Sequence, residues 1–128
     1  MSQIATQVHN KFKVFAGELA ADNSIGGLAD EVAAFAGEAK IAAKSIGVEF
    51  LESAKRLIIT LGYRDDEEAY PIKLDCVTLG KMDALSDDFS ALEKAMADAS
   101  SNFNNIICHE LYVTGEGDFL MIFMTHQA

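Results

Sequence analysis

The segment Leu57-Ile58-Ile59-Thr60-Leu61-Gly62-Tyr63 is rich in β-branched residues and apolar at odd and even positions alike. Successive strand side chains point to opposite faces, so a strand of this kind is covered on both sides and belongs in the middle of a sheet. A second run of the same character, Phe119-Leu120-Met121-Ile122-Phe123-Met124, closes the chain and is again expected to be central. Two such strands call for a sheet with cover on both faces.

The neighbours of these runs supply the remaining strands. Val48, Phe50 and Leu51 with Glu49 and Glu52 predict a strand over 48–53, followed by a turn at 53–56. Arg64-Asp65-Asp66-Glu67-Glu68 reads as a charged loop. Tyr70, Ile72, Leu74, Cys76 and Thr78 then alternate with Lys73, Asp75 and Val77, a half-buried strand whose early Pro71 suits an edge or first position. Ile106 to Val113 is a further strand, joined to the last one by a hairpin turn at Thr114-Gly115-Glu116-Gly117. Between them Phe89, Leu92, Met96 and Ala99 recur at helical spacing behind Ser86, a good N-cap, with Asp87 and Asp88 suited to the first turn.

Upstream the period is helical. Ile4, Val8, Phe12, Phe15 and Leu19 predict a helix over 3–21, broken by Asp22-Asn23-Ser24. Ile25, Leu28, Val32, Phe35, Ala39, Ala42 and Ile46 alternate at three and four, predicting a second helix over 24–45. The expected fold is α+β in one domain spanning 1–128. An antiparallel helical pair (1–46) precedes a mostly antiparallel five-stranded sheet with one inserted helix (47–128), in the order α-α-β-β-β-α-β-β. No internal repeat is evident in the sequence.

Charge and composition narrow the function. The formal net charge is −10, and the segment 84–128 holds seven acids against Lys94 alone. Nucleic acid and anionic membrane surfaces are poor partners for such a chain, because both are held by clustered Lys and Arg. The 128 residues include no apolar run near the ~18 needed to cross a bilayer, and the first residues do not read as a signal peptide. The expected compartment is the cytoplasm. Cys76 and Cys108 form neither a C-x-x-C motif nor a disulfide framework, and are expected as reduced, half-buried thiols.

Chemistry is sparse. His9, His109 and His126 lack metal-ligand spacing, and no phosphate-binding glycine pattern or nucleophile elbow is present, so no metal and no cofactor is expected. Cys108 and Glu110 share one face of a strand, and His109 takes the other. Asp65 to Glu68 lacks the alternating ligands and central glycine of a calcium loop. The candidates for a ligand site are Tyr63 and Arg64, at the end of a central strand, together with His109. Arg64 is a possible grip for a carboxylate or phosphate, or else a partner of its acidic neighbours. No catalytic residue is assigned, and the reading leans away from an enzyme. The sequence favours a small interaction module or accessory subunit, self-associating or bound to a protein partner. The alternatives are a small-ligand binder or enzyme with its site near Tyr63, Arg64 and His109, and an acidic inhibitor docking on a basic protein.

Overall fold

The computed structural model describes residues 10–18, 25–51, 56–85, 87, 89–114 and 116–127. Its elements in chain order are β1 (Lys11–Glu18), α1 (Gly26–Ala39), β2 (Ala42–Leu51), β3 (Arg56–Arg64), β4 (Ile72–Lys81), α2 (Met82–Leu85), α3 (Phe89–Ser100), β5 (Ile106–Val113) and β6 (Asp118–His126). The strands form two three-stranded antiparallel sheets, sheet A in the order β1-β3-β2 and sheet B in the order β4-β6-β5. This corrects the expected helical pair and single five-stranded sheet.

Two local features account for the extra strand and for the absence of a helical pair among the described residues. Residues 11–18, read as part of a helix, are strand β1 paired with β3 from Lys11↔Tyr63 to Glu18↔Arg56. Phe12 and Phe15 are three apart, which suits one helix face but places them on opposite faces of a strand. The second helix stops at Ala39 because Lys40 takes a left-handed conformation (φ 54°) and its N–H bonds the Ala36 carbonyl. This terminating turn is usually made by glycine, so nothing in the sequence announces it. The alanines beyond it, Ala42 and Ala43, lie in β2 and are fully buried. The expected N-cap Ser86, the helical residues 3–9 and 19–21, the break at 22–24 and residues 53–55 of the expected turn lie outside the described residues.

The two apolar runs do sit at sheet centres, as β3 and β6. Their arrangement also reveals a duplication that the sequence hides. Each half of the chain runs strand, helix, strand, strand, and each places its third strand between the other two. α2 is a single extra turn leading into α3. Gly80 (φ +147°) sits at the β4 irregularity just before it, where an added Cβ would lie 3.2 Å from Leu85 Cδ1.

The halves interlock. β2 lies against β5, while α1 lies against both β1 and β4. The sheets therefore meet along β2 and β5 and diverge toward β1 and β4, with α1 filling the opening. The main core joins Leu28, Val32 and Ala36 of α1 to Leu57, Ile59 and Leu61 of β3 and to Leu120, Ile122 and Met124 of β6. α3 covers the other side of sheet B, where Ala99, Met121 and Phe123 form a second cluster with Met96 and Phe103. The layers run α3, sheet B, α1, sheet A. Among the described residues no helix covers the outer side of sheet A.

Candidate functional site

Tyr63 and Arg64 are consecutive on β3, so they point to opposite faces of sheet A. Tyr63 faces inward, its ring edge-on to Phe35 of α1 at 5.5 Å, and Phe35 in turn meets Phe15 at 5.8 Å. Arg64 grips Asp66 with two hydrogen bonds, Nε to Oδ1 at 2.8 Å and Nη2 to Oδ2 at 2.7 Å, and reaches Glu67 at 3.2 Å. His109 is elsewhere, opposite Phe123 on β5, beneath α3 on the far side of sheet B. The fold does not bring the three together in one pocket.

Arg64 belongs to a clasp. The loop between the two halves presents Asp65, Asp66 and Glu67, and each strand of sheet A offers a base to it. Lys11 of β1 pairs with Asp65, Arg64 of β3 with Asp66, and Lys44 of β2 with Glu67 at 2.7 Å. Lys44 reaches the loop because β2 shifts register between Ala43 and Ser45, an irregularity that re-aims a side chain. The Arg64 guanidinium holds the Asp66 carboxyl below the usual carboxylate range, and Lys11 then Asn10 do the same for Asp65. A carboxyl lowered by folding stabilises the fold above its unfolded pKa and loses that effect as pH falls through the folded value. The clasp is solvent-facing, so Asp66→Ala is expected to move the denaturation midpoint only slightly, and less still in molar salt. Urea titrations at two salt concentrations check this; a large, salt-insensitive loss would contradict it.

The two cysteines face the main core between the sheets. Cys76 pairs across β6 with Ile122 and Cys108 with Met124, so β6 stands between them. Two strand spacings amount to about 10 Å, beyond the ~7 Å limit for a disulfide. The Cys76 thiol lies 3.7 Å from the Tyr112 hydroxyl, and the Tyr70 hydroxyl donates to the Ala43 carbonyl across the seam. Burial pushes the Cys108 thiol up to about 11, and it raises Cys76 and Tyr112 as well. These groups are kept neutral, the opposite of what an activated nucleophile requires.

The described residues border several open crevices. Beneath α3, Met96, Ile106, His109, Met121 and Phe123 border a crevice of about 220 Å³. That is smaller than the ~300–1,000 Å³ typical of small-molecule sites. A more polar cleft of about 440 Å³ opens beside Lys73, Asp75, Asn104, Asn105 and Gln127. Among the described residues no group of three His, Cys, Asp or Glu is placed to hold a metal, and every buried side-chain polar atom has a partner.

The feature that stands out is the outer side of sheet A. Phe12, Val14 and Ala16 of β1 line up there with Gly62, Thr60 and Ile58 of β3, and with Ser45, Gly47, Glu49 and Leu51 of β2. Phe12 is 61% exposed and Val14 60%, and Leu51 is exposed as well. The Lys-Phe-Lys-Val alternation of residues 11–14 is the strand signal for this surface, and it competes with the helical spacing of Phe12 and Phe15. Comparison with protein-family models, with curated proteins and with solved structures finds no match. Among the described residues no helix is long and apolar enough to cross a membrane.

Proposed function

We propose that this chain is a homo-oligomeric contact module, acting as an accessory or regulatory subunit through protein–protein association rather than through chemistry of its own. One observation carries the reading. Sheet B is covered on both sides, by α1 and by α3, whereas the equivalent outer side of sheet A presents Phe12 and Val14, neighbours on one face of β1, to solvent, with Leu51 exposed at the far corner of the sheet. Sheets built with apolar side chains on both faces are stable when both faces are covered, and contiguous exposed apolar surface marks sites of association. The neutral thiols and the small crevice beside His109 add weight against a catalytic centre. Light scattering coupled to gel filtration over a hundredfold dilution is the test. A mass above the monomer at high concentration that falls on dilution is expected; a monomer mass throughout would end the reading.

A further inference from the structure

We infer that two copies of this chain join edge to edge, β1 against β1 antiparallel, about a two-fold axis at Val14. The inference rests on the self-association proposed above and names its surface.

β1 is an edge strand. One side of it is hydrogen-bonded to β3, and among the described residues no strand pairs with the other. An edge eight residues long presents backbone donors and acceptors suited to a further strand. Proteins commonly block such edges with proline or with lysine. β1 has no proline, and both of its lysines are drawn aside. Lys11 pairs with Asp65, and the Lys13 ammonium lies 5.7 Å over the Phe35 ring on the inner face.

Antiparallel pairing about a two-fold axis is self-complementary, and it keeps the inner faces of both copies on the same side. Facing residues therefore have the same parity, which leaves few registers. With Lys13 on the axis, two like charges stand opposite each other, a destabilising pair. With Phe15 on the axis, Phe12 faces Glu18, and Phe15 must meet its own copy although its ring already packs against Phe35. With Val14 on the axis, Val14 meets Val14, Phe12 meets Ala16, Lys13 meets Phe15 and Lys11 meets Gly17. No like charges then face each other, and a β-branched pair sits at the centre.

Long-range charge agrees with this choice. The net charge of −10 keeps copies apart in general, but −6 of it lies in 84–128, which forms the other half of the molecule. β1 carries two lysines and one glutamate. A single strand pair buries less than the ~1,200 Å² of a stable interface, so the dimer is reversible and forms at high protein concentration.

Val14→Cys in the full chain provides the test, with Leu51→Cys, on the same face but on β2, as the comparison. Under mild oxidation in the concentration range where the wild type dimerises, Val14→Cys is expected to give a disulfide-linked dimer and Leu51→Cys none. Val14→Lys places like charges on the axis and is expected to weaken dimerisation at least tenfold by sedimentation. Circular dichroism should be unchanged, since the position is exposed. A dimer that persists in Val14→Lys, or that cross-links through Leu51→Cys, overturns the edge pairing and leaves self-association standing. A wild type that remains monomeric throughout overturns both.

Discussion

Phe123→Ala is expected to lower the unfolding free energy by about 3–5 kcal/mol, the usual cost of truncating a buried aromatic. Phe123 is 1% exposed, its ring lies 4.8 Å from that of Phe103, and it shares a cluster with Met121 and Ala99 beneath α3. It also sits on β6, between β4 and β5, where no flexible surface can close over a void. A domain of this size is stable by about 5–15 kcal/mol, so the variant stands near its unfolding threshold. The midpoint of thermal unfolding should drop by roughly 10–20 °C. Urea denaturation of the variant checks the value. A loss under about 1 kcal/mol would mean that α3 does not seal this side of the sheet.

At pH 8 the thiols of the folded protein are expected to react with a disulfide reagent at least about tenfold more slowly than those of the urea-unfolded chain. Burial pushes the Cys108 thiol from 9.0 up to about 11, and raises Cys76 too. Two units remove about 99% of the thiolate, the reacting form. The higher intrinsic nucleophilicity of a more basic thiolate restores somewhat under tenfold of that, and limited access slows the reaction further. The same shift governs alkaline stability. A group whose folded pKa is raised contributes fully below its unfolded pKa and loses that contribution as pH rises through the folded value. Stability contributed by Cys108 is therefore constant up to about pH 9 and declines toward 11. Cys76 and Tyr112 shift in the same direction. Thiol titration and urea midpoints between pH 7 and 11 test both statements; fast labelling at pH 8 would show the seam to be open.

The second half of the chain was readable because each element there follows one period. Ile106–Val113 and the run through Met124 alternate or are apolar throughout, and the turn between them carries glycine. Leu92 and Ala99 of α3 are buried as their spacing implies, although Phe89, on the same stripe, is 64% exposed. In the first half two periods overlap. Phe12 and Phe15 fit a helix and a strand equally well, and only the pairing with β3 decides between them. Alanines that favour helix in isolation fill the buried start of β2, where β propensity yields to the need for small side chains at the seam. The duplication is not legible in the sequence because it lies in the order of elements and not in shared residues. Of the candidate residues, Arg64 shows the acidic pairing that its neighbours suggested, and it is bound up in the clasp. Tyr63 and His109 are separated by the whole thickness of sheet B, a distance that strand order determines and local sequence does not encode.

The interlocked halves have a consequence for biosynthesis. Synthesis runs from the N-terminal side, so a first half with its own core would be free to fold while the second was still being made. Here α1 lies between its own sheet and a partner surface that includes β6, the last of the six described strands in chain order. Until residues 118–126 emerge, β4 and β5 lack the strand that joins them, and the apolar stripe of α1 has half its cover. Folding of this core is therefore deferred until residues 118–126 have been made. A chain that stops short of residue 118 lacks the strand on which this core closes, and is a natural client for chaperones and proteases.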